Sequence, residues 1–194
     1  MTIALYTSYL YAAANNKTKN PVKPNQAKPL SKGQGYLLVK MDVTAVAPSL
    51  TVDRLKNEGE LYLDTNESRT FEDEEFTVAL KGVEKGFYLI RLPAGLYQIT
   101  QVNVPYFNLP FKLDTSKNTA WRFGIAEGQT NYIGTLFVDK ERSSELVNVA
   151  LYNRYATDKQ TISADYPTLL SSASLRNGIG VRDDFEQLLK VQDD

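Results

Sequence analysis

The chain has 194 residues, with 22 Lys and Arg against 23 Asp and Glu, and it contains no Cys and no His. The absence of Cys excludes disulfides, thiolate nucleophiles and cysteine-ligated zinc or iron–sulfur sites. The absence of His excludes Ser-His-Asp triads and imidazole acid–base chemistry near neutral pH.

Residues 1–14 are apolar and uncharged, and they end in small residues before Asn15 and Asn16. Small residues followed by a polar tract resemble the cleavage region of an export signal. We therefore expect a remnant of an export signal here, and a periplasmic or cell-envelope-associated protein. An amphipathic first strand or a disordered end would account for the same residues. No later apolar run approaches the about 18 residues of a transmembrane helix.

Residues 15–35 contain Pro21, Pro24, Pro29 and five lysines but no acid. This composition predicts a flexible linker without regular structure or tertiary contacts. The lysines would favour anionic lipid headgroups, so the membrane contact that we expect is at most peripheral and lies in this N-terminal segment. A soluble spacer is the alternative. Residues 36–194 carry 17 basic and 23 acidic residues, which argues against nucleic-acid binding.

Apolar and polar residues alternate from Tyr36 onward, so that Leu37 and Val39 share one face while Leu38 and Lys40 share the other. This period of two predicts strands with one buried face. Eight such runs are Tyr36–Ala45, Glu60–Asp64, Glu75–Lys81, Gly86–Leu92, Gly95–Val104, Ala120–Ala126, Thr130–Lys140 and Glu145–Leu151. We therefore expect residues 36–156 to form a mainly β domain, an antiparallel β-sandwich of immunoglobulin or prealbumin type with about seven or eight strands.

Turn residues separate these runs. The segment Lys81–Gly86 has a glycine near each end and predicts a hairpin connection, and Pro93 before Gly95 predicts a turn with positive φ at the glycine. The apolar phase changes by one residue between Ile99 and Val102, which predicts a β-bulge near Thr100.

The aromatic core is predicted from the same alternation. Trp121, Phe123 and Ile125 share one face and should point inward, with Tyr97 nearby inside the domain. Arg122 should point outward.

Three segments carry a family resemblance: Leu92–Ile99, Phe123–Gly128 and Tyr132–Leu136. They resemble the prealbumin-like or carboxypeptidase-regulatory-like β-sandwich of uncharacterised bacterial periplasmic proteins and lipoproteins, which carry L-P-x-G-x-Y in one strand and G-x-x-x-Y-I-G in another. The resemblance covers residues 36–175 and implies a fold rather than an activity. The chain lacks the cysteine that a lipoprotein anchor requires.

Residues 157–194 differ in kind and are predicted to form a helical cap. A short helix should begin at Pro167, because proline is favoured at the first helical position. After Gly180, an apolar stripe from Val181 to Leu189 predicts a second helix. We expect these helices to cover an edge or end of a sheet, with docking to a partner as the alternative.

The acidic segment Asp64–Glu75 has oxygen-bearing side chains at the ligand positions of an EF-hand loop. However, Arg69 occupies the position that requires glycine, and strands rather than helices flank the loop. An acidic hairpin loop explains the same residues, so no metal site is predicted.

The candidate binding residues are Tyr106, Phe107 and Phe111, in a connection stiffened by Pro105 and Pro110. Exposed aromatic rings on a loop suit sugar faces or an extended peptide, so the expected partner is an envelope polymer or a protein. The alternative is that Phe107 and Phe111 plug the end of the domain.

No catalytic residue or cofactor site is predicted, because no glycine-rich segment extends to a phosphate-binding or dinucleotide-binding motif. The predicted function is therefore a non-catalytic binding or structural module of the bacterial cell envelope. The alternative is a glycosidase-like hydrolase that uses paired carboxylates.

Overall fold

The computed structural model describes residues 17–56, 69–105, 110–140 and 146–180, and the fold is mainly β. These ranges contain eleven strands and two α-helices. The strands are β1 Lys17–Lys19, β2 Gln34–Val43, β3 Ser49–Leu55, β4 Phe71–Ala79, β5 Gly86–Pro93, β6 Gly95–Val104, β7 Phe111–Asp114, β8 Arg122–Ile125, β9 Thr130–Lys140, β10 Val147–Tyr152 and β11 Leu175–Asn177. The helices are α1 Tyr155–Asp165 and α2 Pro167–Ser172.

The strands form two sheets. Sheet A has the order β1-β4-β3-β6-β7, with β8 also paired to β6, and sheet B has the order β10-β9-β2-β5, with β11 also paired to β9. The pairs β1–β4, β2–β9 and β11–β9 are parallel, so the prediction of purely antiparallel strands is wrong. Only short hairpin connections force neighbouring strands to run antiparallel, and none of these three pairs is joined by one.

Both sheets contribute to one large buried cluster, which we call the shared core. Trp121, Phe123, Ile125 and Tyr97 all belong to it, which confirms their predicted inward direction. The rings of Tyr97 and Phe123 are stacked, with centroids 5.6 Å apart. The prediction for Arg122 is wrong: this side chain is buried, where its Nε donates a hydrogen bond to Gln98 Oε1 at 3.1 Å.

The local backbone confirms the predicted bulge and contradicts the predicted hairpin. Thr51 pairs with Gln101 and Val52 with Ile99, which confirms the bulge at Thr100. The segment Lys81–Gly86 is not a hairpin, because β4 lies in sheet A and β5 in sheet B.

Gly95 does not have the positive φ that was expected. Glycine fits there for another reason: a Cβ would lie 3.1 Å from Nε of Arg54.

Several strands were missed in the sequence. They are β1, β3, β7 and β11, and all are short or rich in polar residues. The predicted strand Glu60–Asp64 lies outside the described residues.

The N-terminal segment departs most from expectation. Residues 17–35 were predicted to make no tertiary contacts, and this is wrong. Strand β1 pairs in parallel with β4, and Val22 forms two hydrogen bonds with Leu89 of β5, at 3.0 and 2.8 Å. The segment therefore runs along one edge of each sheet. We call residues 17–33 the strap.

The strap is too polar to fold alone, but the sheets supply what it lacks. Their edges offer unpaired backbone groups, and their aromatic rings accept the lysine charges. Lys19 Nζ lies 5.2 Å from the centre of the Phe76 ring, and Lys23 Nζ lies 4.1 Å from that of Tyr88.

The other face of sheet B is buried as well. Side chains from the sheet, α1 and α2 form a second cluster there, and Ala27 and Leu30 of the strap pack against it. Leu38, predicted to lie on an exposed face, is fully buried in this cluster. The helices thus cover a sheet face rather than an edge or end.

Helix α2 begins at Pro167 as predicted. The second predicted helix, after Gly180, lies outside the described residues. None of the helices in the described ranges has the length and apolar character needed to cross a bilayer.

Candidate functional site

A cleft of about 820 Å³ lies between the strap and the helices. This volume is typical of small-molecule and cofactor sites, which range from about 300 to 1,000 Å³. The residues that line it are Pro24, Asn25, Ala27, Pro29, Leu30, Ser31, Lys32, Tyr36, Glu127, Gly128, Asp165, Tyr166, Pro167, Thr168, Leu169, Ser172 and Ala173. Apolar and aromatic side chains predominate, and three charged residues (Lys32, Glu127 and Asp165) accompany them.

Two glycine turns fix the wall that the strap contributes. Gly33 has φ +76° and donates its N–H to Glu127 Oε1 at 2.7 Å. Gly128 has φ +68° and donates its N–H to the carbonyl oxygen of Gln34 at 2.9 Å. A positive φ is readily adopted only by glycine, so these turns place the strap against the β8–β9 connection.

Two tyrosines give the cleft neutral polar groups. Tyr36 donates its phenolic hydroxyl to the carbonyl oxygen of Lys28. Burial raises the pKa of Tyr36, and this effect outweighs the positive charge of Arg91, which lowers the pKa. Burial, with a contribution from Asp165, also raises the pKa of Tyr166. Both phenols therefore stay protonated at physiological pH, which suits them to hydrogen bonding rather than to proton transfer.

A buried polar network attaches α1 to sheet B beside this cluster. Lys40 Nζ lies 2.8 Å from Asp158 Oδ1, and Tyr132 donates its hydroxyl to Asp158 Oδ2 at 2.6 Å. Burial first, and then the Asp158 carboxylate, raise the pKa of Tyr132. Each carboxylate oxygen of Asp158 thus has a partner on sheet B, and the network holds α1 against this sheet.

A pair of carboxylates lies elsewhere, on sheet A. Asp53 of β3 and Glu75 of β4 are directly opposite each other, and Thr100 donates its hydroxyl to Asp53 Oδ2. Burial raises the pKa of Glu75, and the Asp53 charge raises it further. Neither carboxylate lines the cleft.

The predicted binding residues are only partly described. Tyr106 and Phe107 lie outside the described residues. Phe111 begins β7, is half-buried and packs against the shared core, as its interpretation as a plug predicts. A role for these three residues in binding stays a prediction.

The acidic segment is likewise partly described, from Arg69 onward. Glu72 and Glu74 belong to β4 and form ion pairs with Arg54, at 3.4 and 3.0 Å. In the part of the chain that the structure describes, no three His, Cys, Asp or Glu residues are grouped to hold a metal ion.

Scans against models of known protein families and against curated proteins give no match to this chain. The resemblance to prealbumin-like sandwiches therefore stays a prediction.

The cleft itself could not be predicted, because its strap wall lies more than 90 residues from the other lining segments in the sequence. Four residues in the sequence could have pointed to the cleft: the turn glycines Gly33 and Gly128 and the lining tyrosines Tyr36 and Tyr166.

Proposed function

We propose that this chain is a non-catalytic binding module of the bacterial cell envelope and that the cleft holds its ligand. The envelope assignment is supported by the export-like composition of residues 1–14 and by the resemblance to periplasmic proteins. We further propose that the two sheets form a sandwich of immunoglobulin or prealbumin type.

One contact supports the sandwich. Tyr97, near the start of β6, donates its hydroxyl to the carbonyl oxygen of Pro93 at 2.9 Å. The chain passes from sheet B to sheet A at this point. A tyrosine that bonds back to the backbone a few residues upstream, at a corner between sheets, is typical of immunoglobulin-like sandwiches.

The cleft is the observation that carries the binding function. Its apolar lining offers area to a ligand, while the side chains of Asn25, Asp165 and Thr168 offer hydrogen-bonding groups. A few polar groups on an apolar wall fix the orientation of a ligand without reacting with it. This combination suits a segment of an envelope polymer, because aromatic and proline surfaces bind at low entropic cost.

The test is cosedimentation with purified peptidoglycan sacculi. Thr168→Trp would place a bulky indole ring in the cleft and obstruct it, and Ser171→Trp is the matched control, because Ser171 is exposed on the same helix but does not line the cleft. We expect the wild type and Ser171→Trp to sediment with sacculi and Thr168→Trp to stay in solution. Failure of the wild type to sediment, or equal sedimentation of both variants, would contradict the proposal.

A hydrolase with paired carboxylates is the second candidate, and the opposition of Asp53 and Glu75 favours it. A carboxyl group with a raised pKa can act as a general acid. Release of reducing sugar from the same sacculi by the wild type, and its loss in Glu75→Gln, would support this candidate. No release by the wild type would remove it.

A further inference from the structure

The main strand order of the two sheets ends in β1, β7, β5 and β10, with β8 and β11 paired to β6 and β9 off this order, and three of the four end strands are protected. Strand β1 carries Lys17 and Lys19, and β7 carries Lys112 and Asp114. Strand β5 is covered at Leu89 by the backbone of the strap. Charges on an outer strand, or a covering segment, prevent pairing with another chain.

Strand β10 lacks these protections. Its six residues, Val147–Tyr152, include no charge and no proline. It pairs with β9 on one side, and no described residue pairs with its other side. An uncharged outer strand whose second edge is paired with none of the described residues is a site for pairing with a further strand.

The side chains of β10 differ between its two faces. Val147, Val149 and Leu151 pack against the shared core. On the opposite face, Leu146 just before the strand is 72% exposed and Tyr152 at its end is 52% exposed. Two large apolar side chains therefore lie on the same face at the two ends of this strand.

We propose that β10 pairs antiparallel with β10 of a second copy of this chain, about a twofold axis at Val149. In this register Val149 lies opposite Val149 of the second copy, and Val147 lies opposite Leu151. Because opposite residues in an antiparallel pair share a face, the two shared cores become continuous along one sheet.

The same register pairs the exposed residues. Leu146 of each copy lies opposite Tyr152 of the other, and Asn148 lies opposite Ala150. An interface with twofold symmetry must be complementary to itself, and a strand without charge meets no like charge there. Leu146 and Tyr152 are each three positions from Val149, so the twofold axis covers each exposed side chain with the other, and this symmetry points to a second copy as the occupant.

The first test measures mass against concentration by light scattering during size-exclusion chromatography. The double variant Asn148→Lys, Ala150→Lys places two pairs of like charges across the twofold axis. It should raise the dimer Kd by about tenfold or more. The control is Thr18→Lys, Asn20→Lys, which adds the same charge at exposed positions on the opposite side. A monomeric wild type up to millimolar concentration, or an equal effect of both variants, would overturn the proposal.

The second test uses the absence of native cysteine. Leu146→Cys and Tyr152→Cys chains, mixed under mild oxidation, should form a disulfide that joins two different chains. Each variant alone should do so far less, because residue 146 faces residue 152 rather than itself. Equal cross-linking of a single variant, or none in the mixture, would overturn this register.

Discussion

Lys40 on β2 and Asp158 on α1 are 118 positions apart in the chain, yet their side chains meet at 2.8 Å. Asp158 is 5% exposed and also accepts the hydroxyl of Tyr132. Apart from Asp158, the only buried residue of α1 is Ile162. The polar network at Asp158 and the apolar contacts of Ile162 therefore both attach α1 to sheet B.

The first prediction concerns Asp158→Ala. This change leaves the Tyr132 hydroxyl and the Lys40 ammonium without their partner, so it should lower the free energy of unfolding by about 2–3 kcal/mol. Urea denaturation measures this loss, and hydrogen exchange should show faster exchange in α1. Gln160→Ala, at an exposed position on the same helix, is the control and should change stability by less than about 0.5 kcal/mol. Equal stability of the two variants would show that the network contributes nothing.

The second prediction concerns Trp121, which is buried in the shared core. Trp121→Ala should lower the free energy of unfolding by about 3–5 kcal/mol, because it removes a large apolar side chain and leaves a cavity. Val46→Ala, at a residue that is 79% exposed, is the control and should be nearly neutral. A loss below about 1 kcal/mol for Trp121→Ala would contradict the packing seen here.

The direction of side chains could be predicted from the sequence because it depends on a local period. The buried positions Phe76, Val78 and Leu80 follow the alternation, and the phase change correctly marks the bulge at Thr100. Which strands pair could not be predicted in this way, because pairing depends on contacts between distant segments. The connection Lys81–Gly86 has hairpin residues but joins two different sheets.

The candidate site shows the same limit. Residues 15–35 are predicted to be a linker because local composition ignores what a sheet edge can supply, and here the sheets supply hydrogen bonds to Val22 and an aromatic ring to Lys23. Leu38 was assigned to a solvent face because the alternation cannot reveal that helices distant in the chain cover it. Both errors arise from long-range packing.

The third prediction concerns pH. Burial raises the pKa of Glu74, but hydrogen bonds from Arg54 at 3.0 Å and Lys17 at 3.1 Å outweigh this effect, so the pKa lies below its ordinary value. A lowered carboxyl pKa stabilises the fold above the pKa of the unfolded chain, and this stability is lost as the pH falls through the folded pKa.

Glu74→Gln should therefore lower the free energy of unfolding by about 0.5–1 kcal/mol at pH 7, because the ion pairs are partly exposed. The difference from the wild type should shrink below about pH 4.3 and vanish at lower pH. Urea titrations across this range measure it. Asp73→Asn, at an exposed neighbour, is the control. A difference that stays constant with pH would show that Glu74 acts through packing rather than charge.

The fourth prediction concerns the strap. Val22→Pro removes the N–H that donates to the Leu89 carbonyl oxygen at 3.0 Å. Loss of this bond should lower the free energy of unfolding by about 1–2 kcal/mol. Trypsin should then cut after Lys32 faster than in the wild type, as limited proteolysis can measure; Lys23 and Lys28 precede prolines and are not trypsin sites. Asn20→Pro, at an exposed position before Pro21, is the control. Rapid cleavage of the wild-type strap would contradict its attachment to the sheets.

The last prediction concerns Tyr106 and Phe107, which lie between Pro105 and the described strand β7. If their rings contact an envelope polymer or a protein partner, the double variant Tyr106→Ser, Phe107→Ser should keep its melting temperature and lose retention on cell-envelope fractions. Phe111→Ser is the comparison, because Phe111 packs against the shared core and its loss should lower the melting temperature instead. Unchanged retention of the double variant, or its unfolding, would contradict a binding role. Measuring the retention of Thr168→Trp on the same fractions distinguishes the cleft from the Tyr106 and Phe107 rings as the binding surface. If the ligand is held in the cleft, Thr168→Trp should lose retention and the double variant should keep it.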